Sequence, residues 1–219
     1  MFETFRILDS YRKRSDDRAE AIPHAGGVVI VLADGAGGTS GGAEAAGTVV
    51  MWAREYVTSG RRDLDDPAMW AEFLAKMDFQ ISCEGGQTTA VVVAATAEGL
   101  CGASVGDSAA WAISASGCCD LTGNQVHKQL LGSGSARPVP FQTQGFSGTL
   151  LVASDGLVKY ARRELICRCA LEKDLPSAAR KIVDLARLRS GQLQDDVSLV
   201  LCRRREPASG RLSPAAPNG

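Results

Sequence analysis

The sequence predicts an α+β fold in which helices cover the faces of mainly antiparallel sheets. Two observations carry this expectation. Short runs rich in valine, leucine or alanine, bounded by glycine or aspartate, succeed one another through residues 88–114 and imply antiparallel hairpins. Segments of helical period instead come in pairs between the sheet segments, and so fall into layers of their own. The 219 residues, 45% hydrophobic and 22% charged, suit one domain with a sizeable core.

Six strands are expected: Val28–Ala33, Thr88–Ala95, Leu100–Val105, Ala109–Ser114, Thr149–Ala153 and Val197–Cys202. From Gly42 to Thr58, Ala45, Ala46, Val49, Val50, Ala53, Tyr56 and Val57 recur at helical spacing, with Ser40 or Gly41 as the cap and Gly60 as the stop. A second helix starts at Pro67, which suits the first helical position, and buries Trp70, Phe73, Leu74, Met77 and Ile81 before Gly85 and Gly86 end it. Two more helices span about 162–171 and 177–189, and the intervening 117–148 reads as glycine-rich and irregular. The domain is expected over 1–204, with the proline-, glycine- and serine-rich 205–219 a disordered tail. Trp52, Trp70 and Trp111 are expected in the core, and His127 on a surface loop.

Several function classes are set aside by composition. A net charge of -1 with scattered arginines gives no global attraction for nucleic acid or an anionic membrane. The apolar runs are far shorter than the roughly 20 residues of a membrane helix, and "MFETFRILDS" does not read as a signal peptide. A soluble, cytoplasmic protein is expected. Its seven cysteines lack zinc-ribbon spacing and read as small buried thiols in a reducing compartment.

The chemistry lies in the acidic residues. Asp34 follows "VVIVLA", Asp107 follows "CGASVG", Asp155 follows "TLLVAS", and Asp195 with Asp196 precedes "VSLVLC". Carboxylates gathered at the ends of core strands repel one another unless a cation compensates them. Oxygen-only ligation, without convergent histidine or cysteine, selects Mg²⁺ or Mn²⁺ over Zn²⁺. Asp-Gly is also a common hairpin turn, but Asp34 and Asp155 are each followed by a helical pattern rather than a partner strand.

In order along the chain, "RKRSDD" (Arg12 to Asp17), "ADGAGG" (Ala33 to Gly38), "GGQTTAVVV" (Gly85 to Val93), "VGDSAAW" (Val105 to Trp111), "ASDGL" (Ala153 to Leu157) and "DDVSLVL" (Asp195 to Leu201) resemble the motifs of the metal-dependent serine/threonine phosphatases of the 2C type. The resemblance implies a four-layer α-β-β-α sandwich with a two-metal site at one end of the sheets. It implies that Asp34 bridges two Mn²⁺ or Mg²⁺ ions, that the Gly35 carbonyl binds one of them, and that Asp17, Asp155 and Asp195 complete the second. Asp107 takes the position that helps hold a third, weaker ion, and Arg12 would clamp the substrate phosphate with its planar fork. A phosphorylated protein substrate and a cognate serine/threonine kinase are the implied partners.

The chain departs from that pattern at several points. Ala36 replaces a histidine thought to protonate the leaving group, Ser15 and Asp16 replace Asn-Glu, and Asp195-Asp196 replaces the more usual Asp-Asn. Lys159 stands where some members carry a further metal aspartate, which argues against a tightly held third ion, and Arg14 is near enough to take the role of Arg12. The segment before Asp155 is short for a flap, so an open site accepting a protein surface is expected. The competing readings are a non-catalytic interaction module on the same fold and a nucleotide binder at the glycine-rich turn. The latter lacks a Gly-Lys-Ser/Thr ending.

Overall fold

The computed structural model describes residues 1–12, 14–36, 41–60, 63–125 and 129–205. Ten strands form two five-stranded sheets with antiparallel neighbours throughout. The first sheet has the order β1 (Phe2–Asp9), β10 (Val197–Arg204), β9 (Thr149–Ala153), β6 (Ala109–Ser114), β7 (Gly117–Asp120). In the second the order is β2 (Arg18–His24), β3 (Gly27–Ala33), β4 (Ala90–Thr96), β5 (Gly99–Val105), β8 (Val139–Gln144). The five helices are α1 (Gly42–Thr58), α2 (Pro67–Glu84), α3 (Asp155–Val158), α4 (Arg163–Ala170) and α5 (Leu175–Leu185).

Alternation along the strands builds the layers. Along β3, Ile30 and Leu32 point to one side and meet Val91 and Val93 of β4, Leu150 and Val152 of β9, and Val200 and Cys202 of β10, which fills the space between the sheets. Val29 and Val31 point the other way, against Ala46, Val49, Trp70 and Leu74 of α1 and α2. On the far side, Leu151, Leu199 and Leu201 pack under Ile166 of α4 and Ile182 of α5. The result is the α-β-β-α sandwich.

The helix signals hold closely. α1 has the expected bounds and is capped by Gly41 in a left-handed conformation, φ 95°. Asp66 accepts from the Ala68 N–H at the start of α2, with Pro67 in the first turn. α4 lies within one residue of its expected bounds, whereas α5 starts two residues and ends four residues earlier than expected.

The strand reading missed four elements, β1, β2, β7 and β8, and these are the edges of the two sheets. An inner strand is covered on both faces and so reads as a continuous apolar run. An edge strand such as "FETFRILD" alternates half-buried and exposed residues and falls below that signal. The segment 117–148 is therefore not wholly irregular, since it holds β7 and β8. Trp52 is a further correction: it lies on the outer side of α1, 40% exposed, while Trp70 and Trp111 are buried. The cysteines are also mixed, with Cys101 and Cys202 buried, Cys83 and Cys119 exposed, and none in a disulfide. His127 and residues 206–219 of the expected tail lie outside the described residues.

Trp70 joins α2 to the segment before it, donating from Nε1 to the Leu64 carbonyl (2.9 Å) and meeting Phe73 edge-on at 5.8 Å. Trp70→Ala leaves a cavity and a Leu64 carbonyl with only the weak Cys101 thiol as donor, and is expected to cost about 3–5 kcal/mol, whereas Trp52→Ala costs about 0.5 kcal/mol or less. Urea denaturation of the two variants checks this contrast, and equal losses would contradict the assigned burial.

Candidate functional site

Antiparallel pairing gathers the acidic residues at one end of the sandwich. Arg18 of β2 pairs with Ala33 of β3, so Asp17, just before β2, and Asp34, just after β3, emerge side by side. In the other sheet Leu199 of β10 and Ala109 of β6 both pair with Ala153 of β9. Asp155 beyond the end of β9, Asp195 and Asp196 ahead of β10, and Asp107 ahead of β6 therefore leave at the same edge.

There they line a cleft of 510 Å³ with Arg12, Tyr11, Asp16, Gly35, Ala36, Thr89, Leu130 and Gln194. Every candidate metal or phosphate residue read from the sequence is on this wall: Arg12, Asp17, Asp34, Gly35, Asp107, Asp155 and Asp195. Arg14 is exposed and is not on the wall. Asp16 and Asp196 entered the sequence reading only as departures from the motif pattern and, for Asp196, as a neighbour of Asp195, and Tyr11, Leu130 and Gln194 did not enter it. Thr89, within the glycine-rich "GGQTTAVVV" motif, had no site role assigned.

The backbone around Asp34 is fully engaged, which leaves its carboxylate for the cleft. Its N–H donates to Thr89 Oγ1 (3.0 Å), and its carbonyl accepts from Thr89 N–H (2.9 Å) and Thr88 Oγ1 (2.8 Å). Thr89 Oγ1 in turn meets Ser108 Oγ at 2.7 Å, which links this turn to the residue after Asp107. Gly35 must be glycine, because a Cβ there would lie 2.6 Å from the Gly42 backbone at the start of α1. Gly156 is held to glycine by the same logic, since its Cβ would stand 2.0 Å from the Asp196 carbonyl oxygen.

The electrostatics are those of crowded carboxylates. Asp17 is 2% exposed, and its Oδ2 has no hydrogen-bond partner. Burial pushes Asp34 well above the usual carboxylate range, and the charges of Asp17, Asp155 and Asp107 push it further. Asp17 is also raised, again chiefly by burial, although the neighbouring polar groups of Ser198, Asp34 and Ser154 oppose the rise. Both carboxyls are therefore held above the usual carboxylate range, chiefly by burial. Asp155 is neutralised differently, by an ion pair with Lys159 Nζ at 2.9 Å across one turn of α3 and its end.

These residues fit divalent cations. An orphaned, buried carboxylate oxygen on Asp17, beside a second crowded carboxylate at Asp34, calls for a compensating cation, and every donor is a hard oxygen. Among the described residues, no three acidic, histidine or cysteine side chains stand close enough together to hold a metal ion by themselves.

Two measurements probe this cluster. A folded Asp34 keeps its proton to higher pH than an unfolded one, so the metal-free folded protein binds more protons above about pH 4 and loses stability as pH rises. Thermal denaturation without metal is expected to show a Tm falling with pH in the wild type and a flatter profile in Asp34→Asn. A variant profile as steep as that of the wild type would contradict the assignment. Lys159→Ala frees Asp155 and removes a like charge, so Mn²⁺ should bind about three- to tenfold more tightly by calorimetry, a modest gain because the pair is partly exposed. Unchanged affinity would take Asp155 out of the metal site.

No protein-family model matches the chain, and no curated relative matches it. Solved structures do. The serine/threonine phosphatase Stp1 from Staphylococcus aureus superposes with a TM-score of 0.82 at 20% identity, over 94% of this chain and 96% of that one. The Mycobacterium tuberculosis phosphatase PstP/Ppp gives 0.79 at 18% identity, over 94% and 99%. The catalytic domain of the serine/threonine phosphatase PstP, solved with two manganese ions, gives 0.76 at 19% identity, over 92% and 97%. The chain has the fold of these bacterial serine/threonine phosphatases along nearly its whole length.

Proposed function

We propose that this chain is a metal-dependent protein phosphatase that hydrolyses phosphoserine and phosphothreonine with two Mn²⁺ or Mg²⁺ ions. The observation that carries the proposal is the meeting of Asp17, Asp34, Asp107, Asp155 and Asp195 with Arg12 in one cleft. The likeness to phosphatases, one of them solved with two manganese ions, supports the same reading.

When bound, the ions supply charge neutralisation of the phosphoryl group and a more acidic attacking water. The protein does the rest. Asp34 and the Gly35 carbonyl hold the centre of the site, with Asp17, Asp155 and Asp195 around it, and Asp107 serves a third, weaker position. Arg12 receives the phosphate in a two-pronged contact and turns it toward the carboxylate edge. Among the described residues the cleft wall has no serine or cysteine, and Thr89 Oγ1 is committed to Asp34 and Ser108, which supports direct hydrolysis by water without a phospho-enzyme. Ala36 offers no acid to the departing alkoxide, which takes its proton from water. The substrate is a phosphoprotein in the cytoplasm, modified by a kinase acting opposite this enzyme.

A second reading has its own observation. The Lys159–Asp155 pair partly neutralises the cluster, as a non-catalytic interaction module on this fold would permit. Hydrolysis of p-nitrophenyl phosphate and a phosphothreonine peptide separates the two. Activity abolished by EDTA, restored by Mn²⁺ and reduced at least about a hundredfold in Asp34→Asn is expected. A folded, metal-loaded wild type that hydrolyses neither substrate would favour the module.

A further inference from the structure

Asp196 follows a proposed metal ligand, yet its carboxylate faces the segment that carries Arg12. Oδ1 accepts the Tyr11 N–H at 2.8 Å, and Oδ2 accepts the Asp16 N–H at 3.1 Å. Ser10 Oγ adds a weaker contact to Oδ1 at 3.4 Å. These partners lie 180 to 186 residues away in sequence. One carboxylate therefore grips the backbone at both Tyr11 and Asp16, and Arg12 lies between these two positions in the chain.

The segment is braced within itself as well. Ser10 Oγ donates to the Arg12 carbonyl (2.6 Å) and accepts the Arg12 N–H (3.1 Å). On its other side, Asp196 is tied to the carboxylate edge: its N–H donates to Asp195 Oδ1 (3.0 Å), and its carbonyl lies against Gly156, next to Asp155. Asp196 thus links the arginine segment to Asp195, covalently and by a hydrogen bond, and packs its carbonyl against Gly156, the neighbour of Asp155.

We infer that Asp196 is a positioning residue, which holds the backbone at Tyr11 and Asp16, on either side of Arg12 in the chain, and thereby sets where Arg12 meets a substrate phosphate. The identity of that ligand rests on the phosphatase reading; the grip on the segment does not. A carboxylate is required because both oxygens accept N–H groups. Asparagine has a single acceptor oxygen and would retain one of the two backbone bonds.

The experiment combines kinetics, metal binding and amide exchange on the full chain. Asp196→Ala is expected to raise KM for a phosphothreonine peptide and the inhibition constant of inorganic phosphate together, by about tenfold, with kcat within about threefold. Asp196→Asn, close in volume and safer for folding, should fall between. The double variant Arg12→Ala/Asp196→Ala should be no worse than Arg12→Ala, since both act through one group. Mn²⁺ affinity should not change, and the Tyr11 and Asp16 amides should exchange faster in both Asp196 variants. Additive losses in the double variant, an unchanged KM in a folded variant, or weakened Mn²⁺ binding would overturn the inference. A wild type that hydrolyses nothing would defeat the phosphatase reading instead. The grip on the segment would then stand or fall on the exchange of the two amides.

Discussion

Carboxylates crowded at one end of a double sheet are the constraint on which the rest of the structure depends. Asp17 is almost fully buried, with one oxygen unpartnered, beside an Asp34 whose ionisation is opposed by burial and by three neighbouring acids. Such an arrangement costs stability unless the charge is compensated. The sandwich bears that cost through three apolar layers, one between the sheets and one under each pair of helices. The strands are antiparallel, so strand starts and strand ends alternate along each sheet edge, and residues distant in sequence meet there.

The same edge is held by polar contacts that do not line up with the apolar core. Asp196 grips the segment bearing Arg12, and the Thr88–Thr89 pair holds the backbone of Asp34. Asp78 of α2 is buried and accepts the N–H groups of Gly132, Gly134 and Ala136, which fastens the loop that brings Leu130 to the cleft wall. Each fastener is a carboxylate or hydroxyl that binds backbone, so the rim is fixed in place while its side chains stay available. Lys159 is the exception, a side chain that pairs with a cleft aspartate directly and lowers the negative charge there.

Much of this was legible in the sequence because inner strands and amphipathic helices advertise themselves. The apolar runs gave the six inner strands, and the aspartates at their ends gave the positions that converge. Edge strands such as β1 and β8 were not legible, since half of each faces solvent and local alternation there resembles a loop. Trp52 failed for a related reason: a large apolar residue on a helix is expected inside, and only the packed helix shows which face looks outward. Asp196 stood out in sequence as a departure from a motif, but its grip on Tyr11 and Asp16 depends on a pairing across nearly the whole chain. No local pattern encodes that.

The central claim is that the carboxylate edge is a divalent-cation site built around Asp34. Anomalous diffraction from crystals grown with Mn²⁺ tests it most directly, because it locates the ions independently of any activity. Two strong peaks in the cleft, with Asp34 touching both, are the predicted result. Crystals that contain Mn²⁺ elsewhere, with no peak beside Asp34, would contradict it.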